Sequence, residues 1–237
     1  MILDTTLHRQ VEEDRLRPPT YMLKHGKGMQ LPAFNFPPGK NPETMILLDQ
    51  TGSQTYPTSR TNDTPRHVTL GEPVRGVVER LAQVDRESGA GQEEEGGGGV
   101  YVVGFAGGQA YDHGDVNVEN FTQWWNGLTW DGSTLIMPGY AMLIRHFNKE
   151  FANDQGAVLF LLYIGDGGGR DFRQFEREVT ANPRVYVAAA IIGDDNDALR
   201  ALSDFRNLEN TNPRVRAFDF TQAMAEQVAA GLLEMIG

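Results

Sequence analysis

The sequence predicts an α/β protein with a doubly wound, mostly parallel central sheet flanked by helices. Three observations carry this expectation. Short apolar runs bounded by turn residues recur at 45–48, 100–105, 157–164, 184–192 and 215–218. Segments with helical spacing of apolar residues lie between them, and strands separated by helices fold as right-handed βαβ crossovers. Two of the runs stop abruptly at an acid, Asp49 and Asp166. In open α/β sheets the crevice beyond the strand C-termini, where the strand order reverses, is where ligands bind.

Taken in order, residues 1–43 form an arm distinct from the domain over 44–237. A helix over 5–15 starts at Asp4 as N-cap. Pro18, Pro19, Pro32, Pro37, Pro38 and Pro42 then break the chain repeatedly. Tyr21, Met22, Leu23, Leu31, Phe34 and Phe36 are too apolar for a free linker, so the arm is expected to lie against the domain or a partner. The first strand, in TMILLDQTGS (44–53), is followed by a polar loop over 54–69. A helix over 72–87 has Val74, Val77, Val78, Leu81 and Val84 at helical spacing, with Pro73 suited to its first turn. SGAGQEEEGGGG (88–99) is low-complexity and leads into the second strand, VYVVGF. A short strand near 109–111 pairs with it. The segment 118–128 reads as a helix whose Phe121, Trp124 and Trp125 face the core. A loop and a helix over 140–151 precede AVLFLLYI (157–164), the most apolar run and hence a central parallel strand. Helices over 171–180, 196–208 and 221–235 alternate with the last two strands.

Composition narrows the function. There is no cysteine, which excludes disulfides and thiolate metal sites. The formal net charge of −11 argues against nucleic acid as a partner, since neutralising phosphates takes a basic surface. No apolar run is as long as a membrane span, and the first residues lack the apolar core of a signal peptide, so the expected location is cytoplasmic.

The chemistry concentrates at the ends of two strands. Asp49, Thr51 and Ser53 place one carboxylate and two hydroxyls on a tight turn, an all-oxygen set of the kind that hard cations such as Mg²⁺ prefer. By topology, two more loops converge there: Gly132-Ser133-Thr134, and Asp166 after the most apolar strand. These fragments, DQTGS (49–53), GSTLIMPG (132–139) and IGDG (164–167), resemble the von Willebrand factor A family in order, spacing and flanking elements. That family's metal-ion-dependent adhesion site is built from D-x-[ST]-x-S, a threonine loop and a later Asp-Gly turn. The segment VVGFAGGQAYDHGDVNVENFTQW (102–124) is most similar to the intracellular branch associated with tellurium resistance and stress response.

The resemblance implies that Thr51, Ser53 and Thr134 ligate Mg²⁺, or Mn²⁺ or Ca²⁺, through hydroxyls, with Asp49 and Asp166 acting mostly through bound waters. It implies a protein-interaction module that is not an enzyme, whose partner offers an acidic residue to the open metal position. Gln54 and Gly165 stand where the family more often has Met and Thr or Ser. Gly132, Ser133 and Gly139 around Thr134 suit a loop that absorbs dihedral change. Asp112, Asp115, Asp131 and Asp171 read as solvated loop acids, His67 and His113 as surface residues, and His146 as a packed or exposed helix residue.

Two other functions remain open at this level. One is a Mg²⁺-dependent phosphoryl-transfer enzyme, against which stand a Thr at position 51 where dehalogenase-type phosphatases need a second Asp, and the absence of a P-loop or nucleophile-elbow motif. The other is a structural subunit with an incidental metal. The partner and the oligomeric state are not written in the sequence.

Overall fold

A computed structural model describes residues 39–87 and 99–220. From β1 (Asn41–Asp49) the chain passes through a 3-10 turn (Gly52–Thr55) and a small hairpin, β2 (Pro57–Ser59) and β3 (Asn62–Pro65), into helix α1 (Arg66–Glu87). Strands β4 (Val100–Ala106) and β5 (Gln109–Val116) follow. Then come α2 (Phe121–Gly127), α3 (Met137–Glu150), β6 (Ala157–Gly165), α4 (Phe172–Ala181), β7 (Val185–Ile191), α5 (Asn196–Thr211) and β8 (Val215–Asp219). The expected arm up to residue 38, the segment 88–98 and the helix over 221–235 lie outside the described residues.

Six strands make one sheet in the order β5-β4-β1-β6-β7-β8. All neighbours are parallel except the β4–β5 edge pair. The chain builds outward from β1 to β4 and β5, then returns to the other side of β1 with β6. The strand order therefore reverses between β1 and β6, which leaves the crevice of a doubly wound sheet between Asp49 and Asp166. Pro42 is tolerated in a central strand because β1 pairs with β4 only from Met45 onward, so no ladder partner faces it on that side.

Alternation along the central strands sorts the core into two layers. Ile46, Leu48, Phe160, Leu162 and Ile164 point to the face covered by Leu70, Val74, Val77 and Val78 of α1, with Phe121 and the half-buried Trp124, Trp125 and Trp130 packed beside them. Met45, Leu47, Leu159, Leu161 and Tyr163 point to the opposite face, against Tyr140, Leu143 and Phe147 of α3, Phe175 and Val179 of α4, and Leu202, Phe205 and Leu208 of α5. With both faces covered, β6 and β7 are buried throughout and β1 is buried from Met45 to Asp49, which is why they read as unbroken apolar runs.

The expected polar loop over 54–69 is instead a turn, a hairpin and the start of α1. Thr58 Oγ1 donates to the Thr64 carbonyl at 2.7 Å across the hairpin, and Arg66 N donates to the Tyr56 carbonyl at 3.0 Å where the helix begins. Pro73 consequently sits inside α1 rather than in its first turn, and the helix loses one internal hydrogen bond there. The strand expected near 109–111 runs to Val116. As an edge strand carrying Asp112, His113 and Asp115 it lacks a clean apolar alternation. The helix expected from 118 starts at Phe121, because the Asn117 side chain accepts from Glu119 N and Asn120 N at 3.0 Å each and holds a turn.

Candidate functional site

Three loops meet at the crevice, and backbone hydrogen bonds fix them to one another. Gly52 N donates to the Gly132 carbonyl at 3.2 Å, Asp131 N to the Gln50 carbonyl at 3.0 Å, and Gly107 N to the Ser133 carbonyl at 2.9 Å. Gly132 has φ of +82°, and a Cβ there would lie 2.8 Å from Gly107 N, so this crossing admits only glycine. The threonine loop is thereby clamped between the end of β1 and the β4–β5 turn.

The five side chains expected to form the site lie together. Thr51 Oγ1 is 3.0 Å from Ser53 Oγ and 3.4 Å from Thr134 Oγ1. Ser53 Oγ donates to Asp166 Oδ1 at 2.8 Å. Asp49 Oδ1 accepts from Thr51 N at 2.9 Å. Asp49 Oδ2 is buried and satisfies no hydrogen bond, although the Asp166 amide is near enough to lower its proton affinity. Asp49 approaches the end of β6 closely because position 165 is glycine: a Cβ there would be 2.6 Å from Asp49 Cβ.

This donor set suits a hard cation. Metal–oxygen bonds of about 2.0–2.1 Å put adjacent corners of an octahedron about 2.9 Å apart, close to the 3.0 Å between the Thr51 and Ser53 hydroxyls, with Thr134 somewhat wider at 3.4 Å from Thr51. The orphaned Asp49 oxygen is a buried acceptor that a cation or its water would satisfy. Among the described residues no group of three or more His, Cys, Asp or Glu side chains could hold a metal ion. The set here is of another kind, three hydroxyls with two carboxylates.

Electrostatically the site holds excess negative charge in a dry place. Asp49 is 0% and Asp166 2% exposed. Burial, then repulsion from Asp166, pushes the Asp49 carboxyl well above the usual carboxylate range. Burial likewise raises Asp166, and is opposed by Arg66 and by the Ser53 hydrogen bond. Beneath them the Tyr163 hydroxyl, raised by burial and by the same carboxylates, donates to the Gly167 carbonyl.

Several neighbours differ from expectation. Asp171 is not a solvated loop acid: its two carboxylate oxygens accept from Ile136 N and Met137 N at 2.9 Å each, which pins the end of the threonine loop to the start of α3. Gly139 is no hinge but a close-packing residue in α3, where a Cβ would lie 2.8 Å from Leu47 Cδ1. His67 and His113 are half-buried rather than at the surface. His67 Nδ1 lies 2.9 Å from the Gln54 carbonyl, with its ring stacked on Trp130. His113 Nε2 lies 3.0 Å from Gln50 Oε1, and burial lowers its pKa. His146 packs, stacked on Tyr101. Gln50 and His113 also line a cavity of about 460 Å³ walled by Trp124, Tyr111 and Leu128.

Sequence reasoning missed Arg66 entirely. It lay in an expected loop, with no motif around it. Among the described residues it is the largest fully buried side chain, 2% exposed, and its guanidinium donates to Asp166 Oδ2 through Nη1 and to Asp195 Oδ2 through Nη2. Asp195 has no place in the sequence reading either. It caps α5, accepting from Asp197 N at 3.1 Å and Ala198 N at 2.9 Å.

By sequence, no family profile and no curated protein matches the chain. By structure it is similar to the manganese-loaded TRAP protein of Plasmodium vivax, with a TM-score of 0.54 at 14% identity over 84% of this chain and 74% of that one. It is similar also to the minor pilin PilB of Streptococcus sanguinis, with a TM-score of 0.54 at 12% identity over 83% of this chain and 60% of that one. At such identities the likeness concerns the fold alone, and the fold is the doubly wound α/β architecture of von Willebrand factor A domains.

Proposed function

We propose that this chain is a von Willebrand factor A-type interaction module that binds a divalent cation at the crevice between β1 and β6 and, through it, a carboxylate of a protein partner. The observation that carries the reading is the convergence of Thr51, Ser53 and Thr134 hydroxyls beside a buried Asp49 oxygen that has no hydrogen bond. Thr51, Ser53 and Thr134 would hold the ion directly. Asp166, with Oδ1 on Ser53 and Oδ2 on Arg66, would act through water, and Asp49 would do so through Oδ2. A bound divalent ion supplies Lewis acidity at its open position, and neutral hydroxyl ligands leave it able to take an anionic ligand from outside.

That the TRAP structure of similar fold is manganese-loaded supports a divalent ion as the ligand. The 102–124 segment favours the intracellular tellurium-resistance and stress-response branch. An enzyme that uses Ser53 as nucleophile is disfavoured by the site itself: the carboxylate that the Ser53 hydroxyl touches is committed to Arg66 rather than free to act as its base.

The test is calorimetric titration of EDTA-stripped protein with Mg²⁺, Mn²⁺ and Ca²⁺, followed by pull-down from cell extract with and without EDTA. One site per chain is expected, abolished in Asp49→Ala, with capture that EDTA reverses. Absence of cation binding in the wild-type protein overturns the reading.

A further inference from the structure

Arg66 stands out among the buried groups, because a fully buried guanidinium beside a cation site is electrostatically opposed to it. Its placement is built rather than incidental. The tip of the β2–β3 hairpin is tied across the crevice by Arg60 N donating to Asp194 Oδ2 at 3.0 Å, and Arg66 follows directly at the head of α1. Gly193, at φ of +117°, clears the space: a Cβ there would sit 2.7 Å from Arg66 Cζ. The guanidinium spans Asp166, 2% exposed, and Asp195, 43% exposed, so it joins the candidate metal loop to the next strand end. Burial works against its charge, but the two carboxylates outweigh this and hold its pKa above the ordinary value.

We propose that Arg66 is a resident counter-cation that lowers the affinity of this site for a divalent metal and, once metal is bound, raises its affinity for an incoming carboxylate. This rests on the metal-site reading above. The charge count gives the reason. With every carboxyl ionised, as metal binding requires, Asp49, Asp166 and Asp195 against Arg66 leave a formal charge of −2, which a divalent ion brings to zero. Without Arg66 the count is −3, and the loaded site keeps a charge of −1 that repels an anionic ligand. Arg66 also occupies the Asp166 oxygen that Ser53 does not, so a cation meets a carboxylate already half neutralised. The two effects have opposite signs, which separates this role from a purely structural one.

The experiment is a titration of the full chain with Mn²⁺, read by water-proton relaxation, then a titration of the Mn²⁺-loaded protein with acetate, which displaces metal-bound water. Arg66→Gln is expected to bind Mn²⁺ about tenfold tighter or more, since a unit charge a few ångströms away acts strongly in a buried site, and to bind acetate more weakly. Arg66→Lys, which keeps the charge, should stay within a few-fold of wild type in both titrations. Asp195→Asn keeps a capping side chain and should weaken Mn²⁺ binding. Should Arg66→Gln alone not fold, the same change in the Asp195→Asn background leaves no unpaired Asp195, and it should tighten Mn²⁺ relative to Asp195→Asn. Mn²⁺ binding in Arg66→Gln but not in wild type keeps the counter-cation role and overturns the metal-site reading of the wild-type protein. Folded Arg66→Gln protein with Mn²⁺ affinity equal to or below wild type overturns the counter-cation role and leaves the metal site standing. No Mn²⁺ binding by any variant overturns both.

Discussion

Asp49→Asn separates the cost of the metal-free site from the gain on loading it. In the metal-free protein Asp49 is a buried carboxyl with one unsatisfied oxygen, facing Asp166. An asparagine keeps Oδ1 as acceptor for Thr51 N and removes the carboxylate charge that faces Asp166. Removing one unsatisfied buried acceptor should stabilise the metal-free variant by about 1–2 kcal/mol. At about 2–4 °C per kcal/mol for a chain of this size, the Tm rises by roughly 2–8 °C. Mg²⁺ at about a hundred times its Kd should add about 2.7 kcal/mol to the wild type, which binds it only when folded, and little to the variant. The rank of the two proteins should therefore invert between EDTA and saturating Mg²⁺ in a thermal melt. A variant less stable than wild type in EDTA, or one whose Tm rises with Mg²⁺ as much as that of wild type, would refute the assignment of Asp49.

Thr134→Val removes a hydroxyl that makes one long contact to Thr51, so stability should change by about 1 kcal/mol or less while Mn²⁺ affinity in a titration falls. The pH dependence has a definite sign. Burial raises the Asp49 and Asp166 pKa values above the ordinary 3.8 in the folded state, so the native protein holds more protons than the unfolded chain above that pH. Metal-free stability should then decline as pH rises from about 4 toward neutrality, and saturating Mg²⁺ should remove the decline, as read from Tm against pH. Gly165→Ala would drive a methyl to 2.6 Å from Asp49 Cβ; overpacking of this kind costs about 1–3 kcal/mol, and denaturant melts should show it together with lost Mn²⁺ binding. Phe175→Ala, at a fully buried position of α4 against Tyr140 and Phe205, should cost about 3–5 kcal/mol with metal affinity unchanged.

The legible parts of this fold are those where one force dominates. Strands β1, β6 and β7 are buried on both faces, so their apolar runs announce them. The edge strand β5 is half solvated and its polar residues hide its length. The hairpin β2–β3 was invisible because PTS and NDTP carry no apolar period, and its pairing depends on local hydrogen bonds between threonines. For the candidate site, Asp49 and Asp166 were visible as acids ending apolar runs, and the hydroxyls as a motif. Arg66 was not, because its meaning comes from where two carboxylates lie 100 and 129 residues further on. Asp171 was misjudged for a similar reason, as its partners are amides of a loop distant in sequence.

The β1–β6 pairing also governs when the site comes into being during folding. Asn41 pairs with Ala157 in register, a separation of 157 − 41 = 116 residues, and Asp49 and Asp166 meet only once that pairing is complete. Non-local parallel pairing forms slowly because the chain entropy of the intervening loop must be lost first. The proposed cation pocket therefore has no precursor in a partly folded chain, and a metal ion cannot template it. In stopped-flow chevrons, Mg²⁺ should slow unfolding and leave the folding limb nearly unmoved, so that the ion acts as a lock on the finished domain rather than a guide to its assembly.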